Sequence, residues 1–269
     1  MSSSEKLARD IRLTTVKMIA RSRCSHLAGS LSIADILAVL YTDILDIRPS
    51  QPDWYGRDRF ILSKGHCCSA VYAALALSGF FPVSQLDSYG EDGSTLMAHI
   101  SHKVPGVEFS TGSLGHGLPF GCGKAIAAKR LNQQWRTFVL LSDGELDEGS
   151  NWEAILFAPQ HLLSNLTVII DYNKIQSLGR VKDILDLEPL RPKFESFRWA
   201  VKEVDGHSHD ELRSALSGVP WEPNRPSCLI AHTTKGKGVD FMESQLAWHY
   251  KSPNSSEEIE ACRQIGQSQ

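Results

Sequence analysis

The chain has 269 residues, with 28 Lys plus Arg against 31 Asp plus Glu and 42% hydrophobic residues. That length suits one wound α/β domain better than two small ones, and the composition is ordinary for a soluble globular protein. A net charge of −3 gives no basic excess for nucleic acid, and no apolar run reaches bilayer-spanning length, so neither nucleic acid nor a membrane is expected as a partner.

The first residues, Met-Ser-Ser-Ser-Glu-Lys-Leu, lack the charged-then-apolar pattern of a signal peptide, which points to the cytoplasm. The six cysteines form no Cys-x-x-Cys pair and read as reduced, mostly buried thiols. Leu7, Ile11, Val16, Met18 and Ile19 fall roughly on one face of a helix over residues 5–23. A second helix is expected over 32–45, with Ile33, Ile36, Leu37 and Leu40 as its apolar stripe and Ser32 as its cap. Residues 67–78 read as a buried helix ended by Gly79, and 82–113 as a long loop of the kind that is usually functional. A glycine-rich helix follows over 115–131, where the glycines suggest close backbone approach.

The clearest strands are 137–142 (TFVLLS) and 166–171 (LTVIID), joined by a helix over about 150–162 in a βαβ unit, which requires them to be parallel. Further strands are expected at 198–204 and 228–233 with a helix at 209–217 between them, and a polar helix (SSEEIEACRQIG) lies near the C-terminus. The whole predicts an α/β fold: a mostly parallel open sheet with helices on both faces. In such sheets ligands sit at the carboxyl ends of the strands. There the chain places Ser142-Asp143-Gly144 and Asp171-Tyr172-Asn173-Lys174-Ile175. A carboxylate, an amide oxygen and a backbone carbonyl suit Mg²⁺, and Gly144 leaves room for a diphosphate beside the backbone. On residue types alone both segments also read as turns after strands.

Ser142-Asp143-Gly144 with the distal Asn173 resembles the thiamine diphosphate motif, and its surroundings resemble the transketolase family. So do residues 22–34 (SRCSHLAGSLSIA), 62–66 (LSKGH), 98–117 (AHISHKVPGVEFSTGSLGHG) and 232–249 (HTTKGKGVDFMESQLAWH), in the family's order along nearly the whole chain. The resemblance implies a single diphosphate-binding domain over 1–269, with short helical extensions at its ends. It implies Asp143, Asn173 and the Ile175 carbonyl as ligands of Mg²⁺, or of Ca²⁺ or Mn²⁺ in its place. Gly144 and His66 would contact the diphosphate, and Glu145, on the same loop as Gly144, is counted with the cofactor-binding residues. Ser113, Leu114 and Gly115 would lie against thiamine diphosphate, and Lys235 would add positive charge near the phosphates. His26, His99 and His249 would line the substrate channel as catalytic groups, a place that suits imidazole. Glu148 reads equally as part of an acidic network at a subunit interface and as a solvated charge. His102, His161, His207 and His209 read as structural or surface residues.

Some positions depart from the family. Ser142 replaces the first glycine of the motif, and His116 stands where Gln is usual. His26 precedes Leu27 and His99 precedes Ile100 where the family has proline, which weakens the case for ordinary pentose-phosphate substrates. The family's pyrimidine-binding domain, with the carboxylate that activates the cofactor, finds no room in this chain. The resemblance therefore implies a separate C-terminal partner subunit in an α₂β₂ assembly. The implied activity is transfer of a two-carbon ketol (glycolaldehyde) unit from a ketose or ketose phosphate to an aldose. Two other readings stay open: a two-subunit thiamine diphosphate-dependent acyl or ketol transferase of a specialised pathway, and a non-catalytic scaffold.

Overall fold

Five strands of mostly apolar residues, rich in Val, Ile and Leu, build one sheet. They are β1 (Arg59–Leu62), β2 (Thr137–Ser142), β3 (Leu166–Tyr172), β4 (Ala200–Asp205) and β5 (Ser227–His232). The computed structural model describes residues 1–267. The strand order is β1-β2-β3-β5-β4, every pair is parallel, and β2 meets β3 with Thr137 opposite Leu166 and Ser142 opposite Asp171. β1, β2 and β3 are buried throughout, as expected of parallel strands covered on both faces.

Side chains alternate between two cores. Phe138, Leu140, Ile169 and Leu229 face one layer, packed by α1 (Ser3–Ser22), α2 (Leu27–Ser32), α3 (Ala34–Val39), α4 (Cys68–Leu77), α9 (His209–Ser217) and α10 (Ser255–Gln267). Val139, Leu141, Val168 and Ile170 face the other, packed by α5 (Gly117–Arg130), α6 (Gly149–Gln160) and α8 (Leu190–Ser196). The short helix α7 (Val181–Ile184) sits in the loop after β3. The expected fold class is therefore what the chain adopts.

Two local expectations need correction. In place of the one helix expected over 32–45, Ser32 ends the earlier helix α2, α3 starts at Ala34, and a wide turn follows over Leu40–Ile44. Residues 32–41 are buried on every face rather than on one stripe, and only Thr42 and Asp43 near the end are exposed. Ser32 does not cap α3: its single hydroxyl proton is directed to Asp171 Oδ2 (2.7 Å) or to the Gly29 carbonyl (2.9 Å), so it ties α2 to the sheet. β1 was not anticipated, because four residues flanked by Arg57, Asp58 and Ser63 carry too short an apolar signal. The long loop over 82–113 contains a short 3₁₀ helix, Val83–Ser88, and is fastened to β1 by Thr111 Oγ1 donating to the Leu62 carbonyl (2.7 Å). All six cysteines are free thiols.

Candidate active site

Because every strand is parallel, the carboxyl ends share one edge of the sheet. The Ser142–Asp171 register sets Asp143 and Asn173 side by side just beyond it. Asp143 is buried, and backbone amides hold both its oxygens: Gly144 N–H donates to Oδ1 (2.7 Å) and Lys174 N–H to Oδ2 (2.5 Å). Lys174 takes a positive φ of 70°, which turns the chain so that its amide faces back toward β2. Burial and the neighbouring Asp171 push the Asp143 carboxyl up to about 6.

Asn173 donates from Nδ2 to Asp171 Oδ2 (3.0 Å), while its Oδ1 accepts from the Ile175 amide (3.2 Å). Asp171 accepts only, so the amide must present nitrogen to it and oxygen away from it. Asp171 is the anchor of the site. It is fully buried, pairs with Lys64 Nζ at 2.5 Å and accepts from Ser32 and Thr233. Burial alone would raise its carboxyl, but the Lys64 ammonium and these hydrogen bonds outweigh that and hold it below the usual range. Asp171 in turn keeps the buried Lys64 charged, above the usual lysine value.

Lys235 comes from the loop after β5. It is buried, and its Nζ lies 2.9 Å from the Ile175 carbonyl oxygen and 2.8 Å from His249 Nδ1. Burial and the positive Lys64 lower it to about 8. Four imidazoles gather beside it. The His26 ring centre is 4.8 Å from His66, 5.1 Å from His249 and 6.1 Å from His99. His26 begins α2 with a positive φ of 70°, and its amide donates to the His249 carbonyl (3.0 Å), so the two histidine segments are stitched together. Burial, then nearby positive charge, lowers His26 to about 4, His249 to about 3, and His66 well below its ordinary value.

These groups line one cavity of about 220 Å³. His26, His66, His99, Leu114, Asp143, Gly144, Asn173, Ile175, Lys235 and His249 all reach its wall. Ser113, Gly115 and Glu145 do not. Ser113 is exposed, whereas Gly115 is buried at φ 84°, where a Cβ would stand 2.4 Å from Ser150 Oγ. Glu145 is fully buried and accepts from Ser63 Oγ (2.5 Å) and the Gly115 amide (2.9 Å), so it supports the loop behind Leu114. Glu148 and His116 are exposed. Sequence reasoning missed Lys64, Gln176, Ser177 and Tyr250, which also line the cavity. Lys64 sat inside the LSKGH stretch, but only the sheet register reveals its partner.

A larger cleft of about 530 Å³ lies around Arg12, Asp35, His207 and His209. Its charges satisfy one another: Asp35 takes Arg12 at 2.5 Å, His207 at 2.7 Å and His209 at 3.1 Å. That cluster joins α1, α3 and α9 and is structural.

No three His, Cys, Asp or Glu side chains converge on a metal position among the described residues. Asp143, Asn173 and Ile175 instead bring one carboxylate, one amide oxygen and one carbonyl. This hard, sparse donor set fits Mg²⁺, which keeps several positions for water and phosphate oxygens.

Such a fold, with oxygen donors at adjacent strand ends and histidines around them, defines a parallel α/β protein whose candidate site lies at the carboxyl edge of its sheet. Comparison with known sequences gives the family: a profile described as "Transketolase, thiamine diphosphate binding domain" matches residues 3–267. The chain belongs to that family. It is 39% identical over 256 residues to an apulose-4-phosphate transketolase subunit of Phocaeicola vulgatus, covering 95% of this chain and 91% of that one. It is 41% identical over 240 residues to a 6-deoxy-6-sulfo-D-fructose transketolase subunit of Clostridium sp., covering 89% and 87%. A transketolase from Leishmania mexicana superposes with a TM-score of 0.94 at 29% identity over 100% of this chain, which spans 42% of that longer one.

Proposed function

We propose that this chain is the diphosphate-binding subunit of a two-subunit transketolase. It holds Mg²⁺ and thiamine diphosphate and transfers a two-carbon ketol unit from a ketose or ketose phosphate to an aldose. The observation that carries the reading is the Asp143, Asn173 and Ile175 oxygen set at the ends of β2 and β3, opening into the four-histidine cavity. A partner subunit carrying a pyrimidine-binding domain, an α₂β₂ assembly and a cytoplasmic location belong to the same proposal. Relatives of matching length bear subunit names, and the cavity of about 220 Å³ falls below the roughly 300–1,000 Å³ of a whole ligand site.

In this reading Asp143, Asn173 and the Ile175 carbonyl hold the metal, and Gly144, His66 and Lys235 face the diphosphate. Ser113, Gly115 and Glu145 shape the loop that carries Leu114 to the cofactor. When bound, thiamine diphosphate supplies the electron sink for carbon–carbon cleavage. The chain contributes imidazoles, with burial favouring the neutral form of His26 and His249. The Lys235 ammonium donates to His249 Nδ1, which leaves the His249 proton on Nε2, free to donate to a substrate oxygen. His26 Nδ1 is paired with Ser25 Oγ (2.9 Å), leaving Nε2 for the cavity. His26 and His249 can thus orient sugar hydroxyls and move protons without adding fixed charge beside the reacting carbon, and His99 reaches the same cavity wall to bind substrate with them.

Calorimetry tests the reading. Thiamine diphosphate should bind the assembled subunits only with Mg²⁺, and Asp143→Ala should abolish that metal-dependent binding; unchanged affinity in the variant would overturn the ligand assignment. Ketose donors, rather than pyruvate, should then support turnover.

A further inference from the structure

The carbonyl oxygen of Ile175 has a second cationic neighbour. Lys235 Nζ donates to it at 2.9 Å, and Lys235 is held there by burial and by its bond to His249 Nδ1. A divalent ion coordinated by the same oxygen at about 2.1 Å lies within about 5 Å of the ammonium, since the two separations share that atom. Lys64 adds a further buried positive charge nearby, although Asp171 compensates it at 2.5 Å. The hydrogen bonds of Lys235 go to a carbonyl and an imidazole, while the carboxylates of Asp143 and Asp171 act on it only through space.

Resting on the metal reading above, we propose that Lys235 makes metal binding conditional on the diphosphate. The ammonium opposes a lone divalent ion at the Ile175 carbonyl, and a diphosphate placed between the two cations turns that opposition into mutual attraction. The effect is a coupling between two ligands, so it must be reciprocal: the metal tightens the diphosphate by the factor by which the diphosphate tightens the metal. Half-loading with metal alone is thereby suppressed. Lys235 acts here as a positioning residue, through charge.

The test is a pair of Mn²⁺ titrations, read by loss of the free-ion EPR signal. They use the chain assembled with its partner subunit, with and without thiamine diphosphate. Lys235→Gln keeps a donor for the carbonyl and removes the charge, while Lys235→Met keeps the volume; circular dichroism and thermal unfolding identify whichever variant is folded. The expected result is that Mn²⁺ alone binds the variant about tenfold more tightly than the wild type, and that the tightening by thiamine diphosphate shrinks by a similar factor, within the range usual for coupled sites. If Mn²⁺ alone binds wild type and folded variant equally, the coupling role of Lys235 is wrong and the metal assignment stands. If the wild type takes up no Mn²⁺ even with thiamine diphosphate, the metal assignment falls and this inference falls with it.

Discussion

Replacing Lys64 by Met probes the ion pair beneath the cavity. Lys64 Nζ and Asp171 Oδ2 are 2.5 Å apart, with side-chain exposures of 1% and 0%. An exposed pair would contribute about 0–1 kcal/mol. Removing one partner of a buried pair instead strands the other charge and costs about 3–5 kcal/mol. Asp171 retains donors from Ser32, Asn173 and Thr233, so the lower end, about 3 kcal/mol, is the expected loss for Lys64→Met. At roughly 2–4 °C per kcal/mol for a chain of this size, the melting temperature should fall by roughly 6–12 °C. Urea and thermal unfolding measure both quantities. Lys64→Met combined with Asp171→Asn removes both charges and should lose less than the sum of the single changes, with a coupling of at least about 1 kcal/mol. A loss below about 1 kcal/mol in Lys64→Met would refute the reasoning, because the pair would then behave as a solvated one.

Other perturbations separate the remaining roles. In the assembled enzyme, His249→Ala and His26→Ala should each lower kcat by on the order of 10²-fold or more and leave Mg²⁺-dependent thiamine diphosphate affinity within about threefold. An equal loss of both would move these histidines from substrate to cofactor. Gly115→Ala forces a Cβ into a φ of 84° and to 2.4 Å from Ser150 Oγ, so urea unfolding should show a loss of more than about 1 kcal/mol, and an unchanged midpoint would show that the loop yields. The half-buried imidazoles of His26 and His249 also set a pH dependence. Unfolded, they protonate near 6.5; folded, His26 does so near 4 and His249 near 3. Between those values the unfolded chain binds more protons, so the stability of this chain should be full above pH 6.5 and fall progressively toward pH 4. His26→Gln with His249→Gln should flatten that slope, and an unaltered slope would place its origin elsewhere.

The parallel sheet was legible because β2 and β3 are short apolar runs ending in Asp143 and Asn173, with a helix between them. β1 was not, since Arg59–Leu62 offers only four residues and owes its place to pairing with β2. That Ser32 ends one helix instead of capping the next was hidden for a related reason. Ser32 Oγ is drawn to Asp171, a residue 139 positions away. Likewise the sequence marks Lys64 as part of a turn but cannot show that its charge ends against Asp171, 107 positions on. Local pattern thus revealed which residues reach the sheet edge. What holds them there depends on contacts between segments that only the register brings together.

That dependence bears on the proposed metal site itself. Asp171 carries no sequence signal beyond closing an apolar strand, yet it decides which way the Asn173 amide faces. Its carboxylate cannot donate, so it draws Asn173 Nδ2 and turns Oδ1 outward. Lys64 keeps that carboxylate ionised despite complete burial. A neutral Asp171 would carry a proton and could compete as donor for Asn173 Oδ1, so the amide would lose its unique orientation. The donor set at the strand ends is therefore not three independent ligands. Its middle member is aimed by an ion pair one layer deeper, and the same pair that stabilises the fold fixes the oxygen proposed to hold the metal.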